Sequence, residues 1–150
     1  MKKSVILTIA VIYILAIVVV GFMGIRMQVY EEKVYVDEIV MLTEGYKPYT
    51  KDTALGESKL NEGIDGYITK SFKEGLKVEL KCQVKPDNAD NKNLLFSCDA
   101  SDDYKLVMNS DGTATIEFYK GCVATVLIKS ADGKGANMTV EIKVNDFIDL

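Results

Sequence analysis

The side chains that most often carry catalysis are poorly represented in this sequence. There is no His among the 150 residues, which removes the commonest general base and the commonest metal ligand. No Gly-rich phosphate-binding loop occurs, and a Ser or Cys nucleophile has no imidazole to activate it. We therefore predict that the protein is not an enzyme, with no catalytic residue and no cofactor.

The acidic residues between positions 87 and 103 are the grouping closest to a set of metal ligands. The run Asp87-Asn88-Ala89-Asp90-Asn91 offers the oxygen donors that calcium prefers, but it lacks the ligand order and the Gly of an EF-hand loop. Asp99, Asp102 and Asp103 fall in predicted turns, where Asp is favoured because it hydrogen-bonds the local backbone. We predict no metal site, with calcium in these loops as the alternative.

Three cysteines, Cys82, Cys98 and Cys122, are the remaining reactive side chains. No two of them have the C-x-x-C spacing, so the sequence supports neither a zinc site nor thioredoxin-like redox chemistry. Their odd number means that at least one thiol is free or pairs with another chain.

The element that decides where all these residues lie is an uncharged run of 21 residues, Val5 to Ile25. As a helix it is about 31 Å long, close to the hydrocarbon thickness of a bilayer. The apolar core of a signal peptide is shorter, typically about 7–15 residues. We predict a retained transmembrane helix, a signal anchor, and the alternative is a cleaved signal peptide with a weak processing site at 19–21.

The charges that flank this run predict its orientation. Two lysines and the amino terminus precede it, whereas Arg26 and then acidic residues follow it, and basic residues favour the cytoplasmic side. We therefore predict a single-pass protein of the cell membrane with residues 1–4 in the cytoplasm. Residues 26–33 are a linker, and residues 34–150 form one extracellular domain.

The predicted domain is acidic. All 22 acidic residues lie in residues 27–150, with 15 of the 18 basic ones, so this part carries a net charge of −7. Such a charge argues against nucleic acid as a partner, because binding to phosphates needs a basic surface.

From Gly66 onward, apolar and polar residues alternate with a period of two. Leu76 to Val84 and Met138 to Val144 show it most clearly, and in the run 122–128 it places Val126 inside and Thr125 outside. This alternation is typical of strands with one buried and one wet face. Seven or eight such strands, with turn signals roughly every 8–12 residues, predict an antiparallel sandwich or barrel.

The chain before this ladder is less regular. Residues 34–42 read as a first strand in which Val34, Val36, Val40 and Leu42 share one parity, and its disturbance at Asp37-Glu38 indicates an edge strand or a β-bulge. Residues 43–65 then form a long loop, with a short helical turn around 57–62. Long loops are often functional, so Tyr46, Pro48 and Tyr49 within it are the candidate partner-contact residues. The alternative is that they hold the loop to its own domain.

Several short motifs give the chain a resemblance to a known family. They are Leu80-Lys81-Cys82-Gln83-Val84-Lys85-Pro86, Asn88-Ala89, Asn91-Lys92, Phe96, Asp111-Gly112, Lys120-Gly121, Ser130-Ala131-Asp132-Gly133-Lys134 and Thr139-Val140. In this order and spacing they resemble the bacterial immunoglobulin-like group 2 domain over residues 66–145. The chain departs from that family in having Phe96 where Trp is usual, and in the insertion 43–65.

The resemblance implies an immunoglobulin-like, Greek-key β-sandwich of seven or eight strands. Its usual disulfide joins strands B and F, but here Cys82 and Cys122 should lie at opposite ends of those strands. We expect three reduced, buried thiols, with Cys98–Cys122 as the one feasible pair. The family shares no catalytic residues, and its members serve as binding units or spacers.

Together these observations predict a membrane-anchored, non-enzymatic binding or scaffold module at a bacterial cell surface. Its partner would be a surface protein, a wall polymer or a glycan. The alternative is an accessory subunit of a larger membrane complex, in which the transmembrane helix is itself a contact.

Overall fold

The computed structural model of the protein describes residues 2–26 and 31–146. The chain divides into two compact units, Met1–Glu32 and Lys33–Leu150, and we describe each by itself.

The N-terminal unit contains one helix, α1 (Lys3–Arg26). Within it, Lys3–Gly24 contains an 18-residue window with a mean hydropathy of 3.1, and among the described residues no other helix is long and apolar enough to cross a membrane. Its β-branched residues would favour a strand in water, but in lipid only a helix satisfies every backbone group of a lone segment. The apolar run therefore forms a helix suited to be a membrane anchor or a signal sequence.

The C-terminal unit is mostly β-sheet. Between residues 31 and 146 it has ten strands and one short helix, α2 (Ala54–Asn61). The strands are β1 (Glu38–Met41), β2 (Tyr46–Pro48), β3 (Gly66–Ser71), β4 (Lys77–Leu80), β5 (Cys82–Lys85), β6 (Leu94–Cys98), β7 (Tyr104–Met108), β8 (Ala114–Phe118), β9 (Val123–Ser130) and β10 (Asn137–Asn145).

These strands form three open sheets. The largest has the order β2-β3-β10-β9-β6, a second has the order β4-β8-β7, and β1 pairs with β5 alone. The strands β4 and β5 are one extended run interrupted at Lys81, so its first half pairs with β8 and its second half with β1. All pairs are antiparallel except β3 with β10, which is parallel, so the expectation of a purely antiparallel domain is wrong.

A single hydrophobic core lies between the sheets. The alternating residues of the ladder supply it, as the sequence predicts: Val126 is fully buried between Ala124 and Ile128, while Thr125 is only half-buried. The largest side chains that lose all contact with solvent are Phe118, Ile68, Leu80, Ile116, Ile128, Ile142, Val36, Val126 and Val140. This burial is the main favourable term in folding of such a domain.

The first strand differs from its prediction. Val36 is buried, but beyond the disturbed pair Asp37-Glu38 the inward residues are Ile39 and Met41, whereas Leu42 is 57% exposed. Two successive exposed residues shift the register by one, and such a shift moves every later side chain to the other face. The parity that Val34, Val36, Val40 and Leu42 share therefore does not continue as the inward one past Asp37-Glu38.

The apolar residues Phe147, Ile148 and Leu150 predict a C-terminal tail packed on the end of the domain, and these residues lie outside the described part of the chain.

Candidate functional site

The insertion 43–65 is more structured than its composition suggests. The helix α2 begins after Thr53, whose hydroxyl accepts a hydrogen bond from the Gly56 amide at 3.1 Å. It ends at Asn61, and Gly63 just beyond has a φ of 80°. The Gly63 amide donates to the Leu60 carbonyl and the Ile64 amide donates to the Lys59 carbonyl. These are the N-cap and the Schellman C-cap of a complete helix. The expected turn at 57–62 is thus a helix that begins earlier.

The insertion lies against the outer face of the large sheet through one buried carboxylate. Glu141, on the outward side of β10, is only 6% exposed. Its two oxygens accept hydrogen bonds from Lys59 of α2 at 2.9 Å and from the Tyr49 hydroxyl at 3.1 Å. Lys143 lies 3.4 Å from the same carboxylate. Two cations and a hydroxyl thus compensate the cost of removing Glu141 from water.

Aromatic rings complete this arrangement. The ring of Tyr49 packs on that of Tyr67 with centroids 4.9 Å apart. The Lys143 ammonium lies 5.5 Å and 4.9 Å from those two centroids, and it donates a hydrogen bond of 2.8 Å to the Tyr49 hydroxyl. An ammonium group placed over the face of an aromatic ring is attracted electrostatically by that ring, a cation–π contact. We refer to Tyr49, Lys59, Tyr67, Glu141 and Lys143 as the outer-face cluster.

The electrostatics of the cluster are those of a structural ion pair. Burial by itself raises the pKa of the Glu141 carboxyl, but the hydrogen bonds from Lys59 and Tyr49 and the charges of Lys59 and Lys143 outweigh it, so this pKa is lowered. The hydrogen bond to Glu141 raises the pKa of Lys59, and the one to Tyr49 raises that of Lys143. Glu141, Lys59 and Lys143 are therefore all held in their ordinary charged forms at neutral pH, so none of the three has a pKa shifted toward neutral pH as a catalytic acid or base would.

Two glycines allow close packing at the insertion, Gly56 within it and Gly66 where β3 meets Tyr46. A Cβ on Gly56 would lie 2.0 Å from the carbonyl oxygen of Thr50, and one on Gly66 would lie 2.4–2.5 Å from the ring of Tyr46. Burial, with the nearby charges of Asp65 and Cys82, raises the pKa of the Tyr46 hydroxyl to about 12. Tyr46 thus covers the space that Gly66 leaves at the edge of the core.

The three predicted contact residues have different surroundings. Tyr49 is 9% exposed and belongs to the outer-face cluster, and Tyr46 is half-buried against the core. Pro48 is exposed, as is its neighbour Lys47. The loop is held to its own domain by the two tyrosines, and a role in partner contact stays a prediction that now rests on the exposed pair.

The acidic turns have structural tasks within the domain. The Asp90 carboxylate accepts a hydrogen bond of 2.8 Å from the Val34 amide, and that of Asp132 accepts one of 2.6 Å from Val36. Asp103 pairs with Lys120 at 2.8 Å. Among residues 2–26 and 31–146 no group of three or more His, Cys, Asp or Glu is placed to hold a metal ion. The first two bonds fasten the segment that leads into β1.

The three thiols are free and half-buried rather than fully buried. Cys82 contacts the sulfur of Met41 at 3.8 Å, and burial raises the pKa of its thiol to about 11. The register places Cys98 opposite Val126, four residues along the ladder from Cys122. At about 3.3 Å per residue that offset is roughly 13 Å, too far for the expected Cys98–Cys122 pair.

The chain was compared with known proteins. No protein-family model matches it, and no curated protein is significantly similar to it.

Sequence reasoning missed Lys59, Tyr67, Glu141 and Lys143. Their signal was weak: Glu141 and Lys143 alternate with core residues and so read as ordinary solvent-facing positions of a strand. The insertion covers the outer face of β10 at these two positions, and the sequence of the strand does not indicate that they are covered.

Proposed function

We propose that the protein is a membrane-anchored, extracytoplasmic and non-enzymatic immunoglobulin-like module that binds or positions other molecules at a bacterial cell surface. The observation that carries this proposal is the pairing of a membrane-length apolar helix with a separate, acidic β domain. In that domain Glu141 is the buried charge among the described residues, and each of its two oxygens accepts a hydrogen bond from the insertion.

The strand order supports the immunoglobulin-like part of the proposal. Equating the run β4–β5 with strand B, and β6, β7, β8, β9 and β10 with strands C to G, gives the orders B-E-D and G-F-C, which are those expected of that fold. On this assignment β1 and β3 are two parts of strand A, one beside strand B and one parallel to strand G. The insertion then lies within strand A.

Membrane topology is the first test. In cells that express the full chain, a membrane-impermeant maleimide should label Ser101→Cys, at an exposed position, without lysis. Ser4→Cys, in the predicted cytoplasmic end, should be labelled only after lysis. The unmodified chain is the control for its three native thiols, which are half-buried and therefore slow to react. Labelling of Ser4→Cys alone in intact cells would exclude the proposed orientation.

The same samples test whether the helix is retained. A signal anchor keeps the labelled protein in the membrane fraction at full-chain mass, whereas a cleaved signal peptide releases a shorter protein. A shorter, released product would show that the protein is secreted and not anchored in the membrane.

The exposed pair Lys47 and Pro48 is the proposed contact surface for a surface protein, a wall polymer or a glycan. Replacing both with Ala should reduce co-purification of the partner in mild detergent, while the matched exposed change Lys51→Ala should not. Unchanged capture by the double variant would exclude this surface.

The second candidate is an accessory subunit of a larger membrane complex, in which the apolar helix α1 is itself a contact. Exchange of residues 5–25 for an unrelated apolar helix separates the two proposals. A surface module keeps its partner after this exchange, whereas a subunit that packs through its helix loses it.

A further inference from the structure

The strand β6 is an open edge of the five-stranded sheet, because it pairs with β9 on one side only. The Ala131 amide donates to the Asn93 carbonyl at 2.9 Å, and the register continues from there with Leu95 opposite Lys129 and Ser97 opposite Leu127. In an antiparallel ladder alternate residues direct both backbone groups to the same neighbour. The amides and carbonyls of Leu94, Phe96 and Cys98 therefore point away from β9, to the free edge.

This edge lacks the protection that natural sheets usually give their edges, which is charge, Pro or a very short strand. The residues Leu94 to Cys98 contain neither a charge nor a Pro. The other outer strands of the described domain do carry such residues: Lys47 and Pro48 in β2, Lys77 and Glu79 in β4, Lys105 in β7, and Glu38 in β1. In addition, Leu95 is 53% exposed beside this unprotected edge.

We infer that β6 is an interface at which a second copy of this chain adds its own β6, antiparallel, and continues the sheet. The free groups of Leu94 would exchange hydrogen bonds with those of Phe96 in the other copy. A two-fold axis then passes through Leu95, so that the same strand segment serves both subunits.

The side chains select this register over its neighbours. With Leu95 on the axis, the outer face pairs Leu95 with Leu95 and Asn93 with Ser97, so that apolar faces apolar and polar faces polar. A shift by one step in either direction places Leu95 opposite Ser97 or Asn93, so that an apolar side chain faces a polar one.

The interface is small, and membrane attachment compensates for that. A single added strand buries less than the roughly 1,200 Å² of the smallest stable protein interfaces. Two copies held in one membrane have a raised effective concentration, and this effect depends on the membrane anchoring proposed above. The pairing is therefore expected at the membrane.

Oxidative cross-linking of the full chain in native membranes tests this geometry. Opposed residues at a non-hydrogen-bonded position have Cα atoms about 4.5 Å apart, within the range of a disulfide. Leu95→Cys should therefore give a dimer band that reductant removes. Val107→Cys, at an outward apolar site of β7 that is 46% exposed, should not. Equal cross-linking of both variants, or of neither, would overturn the inference.

A charge variant distinguishes this interface from association through α1. Leu95→Asp sets like charges opposite each other on the two-fold axis. In membranes treated with an amine-reactive cross-linker, this variant should show a several-fold lower dimer fraction, whereas Val107→Asp should leave the dimer fraction unchanged. A dimer that survives Leu95→Asp would overturn the β6 assignment. Circular dichroism of each purified variant confirms that the fold is kept. If the maleimide labelling contradicts the proposed orientation while Leu95→Cys still cross-links, the orientation is wrong and the β6 interface is still supported.

Discussion

Removal of the Glu141 charge is the sharpest test of how the insertion is held. Glu141→Gln keeps the size of the side chain and an oxygen acceptor for Tyr49, which donates at 3.1 Å in the native protein. It removes the charge that pairs with Lys59 at 2.9 Å and with Lys143 at 3.4 Å. The change is therefore electrostatic, with little effect on packing.

The expected loss follows from burial. Breaking a fully buried ion pair costs about 3–5 kcal/mol, because the remaining charge stays uncompensated. Here the side chains of Lys59 and Lys143 are 24% and 29% exposed, so both ammonium groups can recover part of their hydration. We expect a loss of about 2 kcal/mol, roughly a 30-fold increase in the opening of the insertion.

Urea unfolding of the full chain in detergent micelles, followed by circular dichroism, measures the global part of this loss. Hydrogen exchange over residues 49–62 measures local opening. Because the folded pKa of Glu141 is lowered, its contribution is complete above its ordinary value of 4.5 and is lost as the pH falls through the folded value. The difference between the native protein and Glu141→Gln should therefore narrow below about pH 4.5.

Glu79→Gln is the matched control. Glu79 forms a comparable ion pair with Lys81 at 3.4 Å, but the two side chains are 45% and 56% exposed. Exposed pairs contribute little, so this change should cost less than about 0.5 kcal/mol. Equal effects of the two substitutions would refute the conclusion that the outer-face cluster holds the insertion by a buried charge.

Three further predictions concern the core, the insertion and the thiols. Val126→Asp should prevent folding, because it buries an unpaired carboxylate, whereas Val123→Asp should be tolerated, because its site is 57% exposed and lies beside Lys143. Circular dichroism of both variants measures this, and equal spectra would show that the strand register is wrong. Gly56→Ala should lower the urea midpoint although Ala is the better helix former, because its Cβ meets the Thr50 carbonyl, and a raised midpoint would contradict the packing. Intact mass with and without reduction should show no internal disulfide, and a Cys82 bond to either other thiol would contradict the strand register.

Much of the architecture follows from local pattern. An uncharged apolar run can satisfy its backbone in lipid only as a helix, and the period-two ladder from Leu76 to Val144 fixes which side chains face the core. Both are properties of neighbouring residues, and the structure agrees with both except at the end of β7, where the ladder residue Met108 is 49% exposed. The helix α2 is partly predictable too, since Thr53 before it and Gly63 after it are residue types that favour the start and the end of a helix.

Pairing across distant segments was not visible in this way. The alternation leaves Thr125 on the wet face and so suggests that Asp is harmless there, but the register sets Thr125 directly opposite the buried Glu141, where a second carboxylate would repel the first. The contacts of Glu141 with Tyr49 and Lys59 span 92 and 82 residues, and no local pattern encodes such separations. The same is true of the roughly 13 Å offset between Cys98 and Cys122, and of the parallel pairing of β3 with β10. Periodicity decides inside from outside, whereas tertiary packing decides which outside residues become neighbours, because that depends on how separate strands and the insertion come together.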